Sequence, residues 1–317
     1  MNAWKEEMKG KITYADRQMI PDLTSLWIEA FGDEKEYIEF YFANRFLEEN
    51  LLVYLLDGKP VSMISMLPAY LHCQEVLSDS GKGCSSQPIR YIYAVATRKA
   101  CRKRGYARAL LEEAHRLLQV PLVLEPASES LSGYYRRMGF RDAFAVTERS
   151  IQTKIQEDAV LCAAELAPAP NRNGLAAVGM TVSNSGNAQR YWLLTITPRE
   201  YKKIRDEKLL RNGYVEWDEA AVSYAMLENE YCGGVAYKVF HDDMEDILMY
   251  RMEDGHMKIL ETTLSDTDIE GVLEKLRLSP ATVVVRRPVT AGGSRRSFGM
   301  ILGDADVRDG YLNLTLE

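Results

Sequence analysis

Cysteine and histidine are scarce in this sequence of 317 residues. Its five cysteines are scattered and include no Cys-x-x-Cys pair, so the pattern indicates neither a disulfide framework nor a zinc site. The four histidines have no spacing that would place two metal ligands on one helix face. We therefore expect free thiols and no bound metal.

Long apolar runs and an excess of positive charge are also missing. No apolar segment reaches the roughly 18 residues that a membrane span needs, and the first residues are charged where a secretory signal would be apolar. Lys and Arg number 39 against 46 Asp and Glu, a formal net charge of −7. This balance opposes a global electrostatic attraction to nucleic acid or anionic lipid, and it weakly favours a cationic small substrate. We expect a cytoplasmic protein that binds neither nucleic acid nor membranes.

The chain is longer than one hydrophobic core usually serves, so two domains are expected. Helix and strand patterns follow the order β-α-α-β-β-β-α-β-α-β-β over residues 1–154. Residues 155–189 turn toward Ala, Pro, Asn and Gly and are interpreted as a linker. The same order returns in 190–317 without the last short helix, which predicts two α/β domains of one fold. The alternative is an unrelated α+β domain in the second half.

Local signals predict several element boundaries. Pro21 and Gly32 are expected to open and close the first helix, and Asp33 is placed to cap the second. Residues 74–88 are rich in Ser, Gly and Asp and are predicted to form a loop. Asp218 is expected to cap a helix in the second half.

The turn that follows the fourth strand carries the strongest chemical signal. Arg102, Gly105 and Ala107 form Arg-x-x-Gly-x-Ala ahead of an amphipathic helix. The N–H groups at a helix start and the positive end of its dipole attract phosphate oxygens. Gly105 and the small Ala107 permit a close backbone approach, and Arg102, Lys103 and Arg104 add positive charge. We predict a pyrophosphate site here; the alternative is a solvated basic loop.

This turn resembles the pyrophosphate loop of the GNAT superfamily of acetyl-CoA-dependent N-acetyltransferases, which reads Arg/Gln-x-x-Gly-x-Gly/Ala after a fourth strand. A second family signature, Tyr-x-x-x-Gly-Phe, is matched by Tyr135, Gly139 and Phe140. The resemblance covers residues near 10–154 through motifs, and the second half only through element order. It implies a tandem GNAT-like fold with a mixed α/β sheet whose fourth and fifth strands part, and acetyl-CoA as co-substrate.

The resemblance also implies roles for individual residues. Val95, Ala96 and Thr97 would line the pantetheine arm, and the backbone N–H of Val95 would polarise the thioester carbonyl. Tyr135 would be the general acid that protonates the departing thiolate, with Tyr134 beside it as a packing residue. The implied cofactor-binding set comprises Val95, Ala96, Thr97, Arg102, Lys103, Arg104, Gly105, Tyr106, Ala107 and Ser128.

The sequence departs from the family pattern at three places. The fourth strand lacks the glutamate that many members use to deprotonate the amine. Glu125, Glu129, His72 or a chain of waters therefore stay open as the base. Ser128 stands where many relatives have an asparagine that contacts the cofactor. Cys101 stands in the turn where relatives often have a proline and an aromatic residue, and it is expected to be a passive neighbour.

The second half has acidic residues where a phosphate turn would need positive charge. Asp266 and Asp268 would repel a pyrophosphate. We therefore expect a degenerate GNAT-like domain at 190–317 that covers a sheet edge, shapes the acceptor pocket or forms a homodimer.

The acceptor pocket is expected beside the first two helices. Phe31, Asp33, Glu34 and Tyr37 would face it, with residues 74–88 as a mobile wall. An acidic and aromatic rim suits a cationic amine; the alternative is a helix cap on a solvated face.

Together these patterns indicate an acetyl-CoA-dependent N-acetyltransferase. It would transfer an acetyl group to a primary amine of a small molecule or peptide by direct attack in a ternary complex. The alternative is a catalytically weak or inactive CoA-binding sensor or scaffold. The acceptor, the acyl-chain length and the oligomeric state stay open, because a cofactor site does not determine acceptor chemistry.

Overall fold

The computed structural model divides the chain into two compact units. The first contains residues up to Phe144 together with Phe298–Arg308, and the second contains Ala145–Ser297 together with Asp309–Thr315. Both are mixed α/β units, which confirms the predicted fold class. The predicted linker at 155–189 lies outside the described residues. The structure describes residues 10–74, 84–152, 191–276, 278, 280, 282–289 and 294–314.

The elements follow the predicted order with two differences: the first half ends on one strand where two were predicted, and the second half has one additional strand between its first two helices. In the first half they are β1 (Lys11–Tyr14), α1 (Ile20–Phe31), α2 (Lys35–Arg45), β2 (Leu51–Leu56), β3 (Lys59–Gln74), β4 (Cys84–Thr97), α3 (Tyr106–Leu118), β5 (Leu122–Leu124), α4 (Glu129–Arg136) and β6 (Arg141–Gln152). In the second half they are β7 (Trp192–Thr195), α5 (Pro198–Leu209), β8 (Tyr214–Trp217), α6 (Glu219–Tyr231), β9 (Val235–His241), β10 (Met244–Glu253), β11 (His256–Thr262), α7 (Asp266–Leu276), β12 (Thr282–Pro288) and β13 (Arg295–Leu302). None of the described helices is both long and apolar enough to cross a membrane.

The sheet of the first unit runs β1-β2-β3-β4-β5-β13. The pairs from β1 to β4 are antiparallel, and β5 lies parallel to β4. The final strand comes from late in the chain, because Met300–Leu302 pair antiparallel with β5. The first unit is therefore completed by residues that the sequence-based boundaries place in the second domain.

The second unit repeats this topology with its own strands. Its sheet runs β7-β9-β10-β11-β12-β6, and the β11–β12 step is parallel, like the β4–β5 step. Its last strand is residues 146–152 of β6, which pair antiparallel with β12. Each unit thus takes its last strand from the other half of the chain. The two sheets share one strand order, and the short strand β8 is an addition to it.

Helix α1 follows the predicted boundaries, whereas the predicted cap of α2 is wrong. Pro21 lies in the first turn, and Gly32 ends α1 with φ +85°. The N-cap of α2 is Glu34 rather than Asp33. The carboxylate of Asp33 instead accepts a hydrogen bond of 2.7 Å from Trp27 Nε1, because a buried indole N–H needs an acceptor.

The predicted loop at 74–88 is wrong in its second part. Residues 84–88 belong to β4, where Ser86 pairs with His72 and Pro88 with Tyr70. Pairing with β3 outweighs the polar local composition, because strand formation depends on neighbouring strands more than on intrinsic preference. Residues 75–83 lie outside the described part of the chain.

The core of the first unit lies between α3, α4 and the sheet. Leu110, Leu111 and Ala114 form the buried stripe of α3, whereas Leu117 is exposed. The cluster they join also contains Tyr135 and Met300 and reaches the sheet through the aliphatic residues Leu52, Ile64, Ile92, Leu122 and Leu124. Burial of α3 against the sheet therefore fixes where its first turn lies.

A fully buried ion pair lies inside the second unit. Arg205 Nε is 3.0 Å from Glu261 Oε2, and neither side chain is exposed to solvent. Glu261 also accepts hydrogen bonds from the hydroxyls of Tyr201 (3.1 Å) and Tyr311 (3.0 Å) and from Asn313 Nδ2 (3.1 Å). Such a pair is tolerated only when its members satisfy each other, because an isolated buried charge is very costly.

Glu261→Gln should lower the free energy of unfolding by about 3–5 kcal/mol, because it leaves the buried Arg205 charge without its counter-ion. The measurement is urea unfolding followed by circular dichroism. The matched control is Glu216→Gln, which removes a partly exposed carboxylate 2.6 Å from Lys202 Nζ in the same unit and should cost less than about 1 kcal/mol. Equal losses in the two variants would contradict the interpretation.

Candidate active site

A bulge interrupts β4 near its end. Met63 pairs with Ala96 and Ser65 pairs with Tyr93, so two residues of β4, Ala94 and Val95, face a single residue of β3. Ala94 has φ +48°. A bulge leaves its extra residue outside the hydrogen-bond ladder and bends the strand. A backbone N–H at this position is therefore available to a ligand.

Strands β4 and β5 part beside this bulge, as the resemblance implies. They pair only at Arg90–Leu122 and Tyr91–Val123. β5 ends one residue later, whereas β4 continues to Thr97. Unpaired N–H and C=O groups of a strand edge need partners. The edge of β4 beyond Tyr91 can therefore pair with an extended, amide-containing chain.

Ser62 fixes the end of β4 and was not singled out by the sequence. Its fully buried hydroxyl donates to the carbonyl of Ala96 at 2.7 Å and lies 2.8 Å from the hydroxyl of Thr97. Because the Ser62 hydroxyl uses its one hydrogen on the Ala96 carbonyl, the Thr97 hydroxyl is the donor in the hydrogen bond between the two side chains. The two serines, Ser62 and Ser65, inside the apolar run of β3 were the available signal.

The predicted phosphate turn has the conformation that anion binding needs. Lys103 and Gly105 both have positive φ, +62° and +86°, and Gly105 is the N-cap of α3. Within the described residues, no side chain caps this helix and its first turn carries no acidic residue. Its first N–H groups are therefore open to an anion. Arg102 Nε donates to the carbonyl of Thr97 at 3.2 Å, and Arg102 and Arg104 are exposed beside the turn.

Three neighbouring residues take up different environments. Tyr106 is buried, with its ring 4.6 Å from that of Tyr54, so only its backbone faces the turn. Ala107 is half-buried at the first turn of α3. Cys101 is half-buried and packs against the core of the unit. Its placement agrees with the passive role expected for it.

The Tyr-x-x-x-Gly-Phe signature forms a Schellman motif. Phe140 N–H donates to the carbonyl of Tyr135 at 3.1 Å, and Gly139 N–H donates to that of Arg136 at 3.0 Å. Gly139 has φ +94°, and the rings of Tyr135 and Phe140 lie 5.5 Å apart. These are the two hydrogen bonds, the left-handed residue and the apolar contact that define the motif. The signature therefore fixes the position of Tyr135.

Tyr135 lies in the same apolar cluster that Val95 packs against. It is 6% exposed, and burial raises the pKa of its phenol well above the ordinary value. No other described residue hydrogen-bonds to its hydroxyl. The phenol is therefore protonated at neutral pH, and its raised pKa makes it a weaker acid than a free tyrosine. Tyr134 packs edge-on against it at 5.3 Å.

Ser128 is placed at the start of α4. It is the N-cap, and its hydroxyl oxygen accepts a hydrogen bond of 3.3 Å from Leu131 N–H. Ser128 is exposed. Its contact with a cofactor stays a prediction, while its capping role follows from the geometry.

The three side chains considered as the base lie in different surroundings. His72 is seven residues along β3 from Ser65, the partner of Tyr93, which is about 24 Å at ~3.4 Å per residue. The carboxylate of Glu129 is 82% exposed and pairs with Arg136 at 2.7 Å. Glu125 is half-buried immediately after β5. Of the three, only Glu125 lies next to the point where the strands part.

The α1–α2 side of β4 carries a group of aromatic rings. The Trp27 ring lies 5.9 Å from that of Phe31 and 5.7 Å from that of Tyr93, which precedes the bulge. The hydroxyls of Tyr37 and Tyr93 are 3.5 Å apart. Of the residues predicted to face an acceptor, Phe31 and Glu34 are exposed and Tyr37 is half-buried. Asp33 is held against Trp27 instead of capping α2.

The corresponding helix of the second unit begins differently. Asp268 Oδ2 accepts a hydrogen bond of 3.3 Å from Ser265 N–H, and the Ser265 hydroxyl accepts one of 3.1 Å from Asp268 N–H. Asp266 pairs with Arg287 at 3.1 Å and with Arg149. The start of α7 thus satisfies its own donors and carries negative charge. This supports the prediction that the second unit does not hold a pyrophosphate.

A parted strand pair with a bulge, a basic turn at a helix start and a buried tyrosine define the first unit as an acyl-CoA acyltransferase fold. Residues 11–143 match the family model described as an acetyltransferase (GNAT) domain. The resemblance seen in the sequence is thereby confirmed for this part of the chain. No curated protein matches the sequence.

Solved structures similar to this chain include several acetyltransferases. One is a conserved Enterococcus faecalis protein described as a probable N-acyltransferase, with a TM-score of 0.64 and 15% identity over 93% of this chain and 72% of that one. A GCN5-related N-acetyltransferase from Anabaena variabilis has a TM-score of 0.60 and 17% identity over 92% and 72%. Eis1 from Mycobacterium abscessus has a TM-score of 0.59 and 14% identity over 92% of this chain and 72% of that one. At these identities the likeness concerns the fold.

Gly139→Ala should lower the free energy of unfolding by about 1 kcal/mol or more, because it places a Cβ at positive φ. That Cβ would also lie 3.3 Å from Leu302 Cδ1. The control is Gly133→Ala inside α4, where the new Cβ contacts only Arg137 Nη1, at 3.8 Å. This substitution should stabilise the protein by up to about 1 kcal/mol, because alanine favours the helix more than glycine does. Chemical unfolding measures the free energy of unfolding of both variants. An unchanged free energy of unfolding in Gly139→Ala would refute the Schellman assignment.

Proposed function

We propose that the protein is an acetyl-CoA-dependent N-acetyltransferase that acetylates a primary amine. The observation that carries this proposal is the apolar cluster around Tyr135. Val95 beside the bulge and Cys101 in the phosphate turn pack against it, and Tyr106 at the start of α3 belongs to it. That these residues share one cluster supports a single site that combines an N–H for the carbonyl, donors for the phosphates and an acid for the leaving group.

The proposed reaction is direct attack in a ternary complex. The amine nitrogen forms a bond to the acetyl carbon, and the bond from that carbon to the sulfur breaks. The Val95 N–H stabilises the charge that develops on the carbonyl oxygen, and the Tyr135 hydroxyl gives its proton to the departing thiolate. The nitrogen loses one proton as the amide forms, and a proton from solvent restores the Tyr135 hydroxyl. Acetyl-CoA supplies the acyl group and is held by residues 102–107 and the edge of β4.

A cationic acceptor suits the other face of β4. Phe31 presents an exposed ring there, Tyr37 is half-buried beside it, and Glu34 adds an exposed carboxylate. Aromatic faces and carboxylates attract ammonium groups. The amine must lose a proton before it attacks, and Glu125 beside the parted strands is the side chain best placed to assist.

A CoA-binding sensor is the second candidate. The observation that favours it is the composition of β4, which carries no carboxylate in its described residues near the bulge. Tyr135 favours the enzyme, because a module that only binds has no use for a phenol at the sulfur. Turnover separates the two, since a sensor binds acetyl-CoA without releasing thiol.

Acetyl-CoA should raise the melting temperature of the unsubstituted protein, because a ligand that binds only the native state stabilises it by about 2.7 kcal/mol at a hundredfold excess over Kd. Gly105→Glu should abolish this rise by placing a carboxylate in the phosphate turn. Gly58→Glu is the control, since Gly58 has a similar φ of +76° and no atom within 4 Å of a built Cβ. An unchanged melting temperature of the unsubstituted protein at saturating acetyl-CoA would contradict the acetyltransferase proposal.

Tyr135→Phe should lower kcat about a hundredfold or more while leaving acetyl-CoA affinity and stability nearly unchanged. It removes the proton donor but keeps the buried ring. The measurement is amine-dependent thiol release from acetyl-CoA with a panel of polyamines, aminoglycosides and peptides. Tyr134→Phe is the matched control and should retain full activity. Binding without thiol release across the panel would support the sensor instead.

A further inference from the structure

One face of α1 is polar and points to the residue that precedes the phosphate turn. Asp22, Ser25 and Glu29 are three and four residues apart, so they share a helix face. Arg98 reaches all three positions: Nη1 donates to Ser25 Oγ at 3.1 Å and to Glu29 Oε2 at 3.0 Å, and Nη2 donates to the carbonyl of Asp22 at 3.1 Å.

Glu29 uses both of its oxygens on the start of the turn. While Oε2 binds Arg98, Oε1 accepts a hydrogen bond of 2.5 Å from the backbone N–H of Lys99. This backbone bond, together with the Arg98 guanidinium, lowers the pKa of the Glu29 carboxyl. The carboxylate is thus held by one side chain and by the backbone of the turn. We call Glu29, Arg98 and Lys99 the turn clamp.

The turn clamp acts on the backbone where β4 becomes the turn. Arg98 N–H donates to the carbonyl of Val61 on β3 at 2.9 Å, and the Arg98 carbonyl accepts from Cys101 N–H at 2.8 Å. A rotation of Arg98 or Lys99 would therefore displace the whole 3₁₀ turn at Lys99–Cys101. Phosphate contacts made by backbone N–H groups depend on the position of that backbone.

We infer that Glu29 is a positioning residue that holds the phosphate turn in its binding conformation before the cofactor arrives. This inference rests on the proposed function. A preorganised turn binds more tightly, because the free energy of ordering it is not subtracted from the binding free energy. Charge-assisted hydrogen bonds are the stronger kind, so the loss of two at once should loosen the turn.

The same helix also contacts the acceptor side of β4. Trp27 lies on α1 between Ser25 and Glu29, and its ring packs 5.7 Å from that of Tyr93. A single helix therefore touches the strand beside the bulge and the entry to the phosphate turn. Glu29 ties the cofactor turn to the element that carries the aromatic rings.

The test compares Glu29→Ala with Glu113→Ala. Glu113 is a matched control on α3: its side chain is 27% exposed and pairs with Arg116 at 2.6 Å, whereas that of Glu29 is 28% exposed and pairs with Arg98 at 3.0 Å. Both changes remove a partly exposed ion pair, so a purely structural effect on thermal stability should be similar. Two readouts are made: amide hydrogen exchange of residues 98–107 without ligand, and the Kd of acetyl-CoA by calorimetry.

In Glu29→Ala we expect faster exchange in residues 98–107 and a Kd for acetyl-CoA that rises about tenfold, with neither change in Glu113→Ala. Glu29→Gln keeps the shape of the side chain and loses its charge, so its Kd for acetyl-CoA should rise less. This variant replaces Glu29→Ala in the test if the alanine variant does not fold. Unchanged exchange and unchanged Kd in folded Glu29 variants would overturn the inference alone. Lack of acetyl-CoA binding by the unsubstituted protein would overturn the proposed function, and the role of Glu29 in cofactor binding with it.

Discussion

The point at which β4 stops pairing with β5 is the constraint on which the candidate site depends. Parallel pairing lasts for two residue pairs and ends at Tyr91, and the bulge begins three residues further along β4, at Ala94. A fully paired strand would have no free N–H for an acyl carbonyl and no open edge for a peptide-like arm. The packing that tolerates this gap consists of α3 and α4 on one face and the aromatic rings of α1 and α2 on the other.

Two helix starts in equivalent positions of the two units show how one topology can carry different chemistry. α3 begins at a glycine with positive φ and no acidic residue in its first turn, whereas α7 begins with Ser265 and Asp268 bonded to each other. An uncapped start attracts an anion because its N–H groups lack partners, and a capped acidic start does not. The fold permits the anion site, and a few side chains decide whether it exists.

Much of the fold could be predicted from the chain. Helical periodicity located α1 and α3, Gly32 ended α1, and Asp218 caps α6 by accepting from Ala221 N–H at 2.7 Å. The errors have one physical origin. Residues 84–88 became a strand and Asp33 bound Trp27 because long-range partners outweighed local preference. The exchange of final strands was not predicted, because pairing between distant segments leaves no local pattern.

The sequence by itself determined the chemistry of the turn, Arg-x-x-Gly-x-Ala, and the Tyr-x-x-x-Gly-Phe signature, because glycines at positive φ and a basic helix start are local requirements. Only the tertiary structure decided that Val95 and Tyr135 share one cluster, that His72 lies far from the bulge, and that Glu29 holds the turn through Arg98. These relations join residues that are distant in the chain. They arise when sheet register and helix packing bring such residues together, and no spacing in the sequence encodes them.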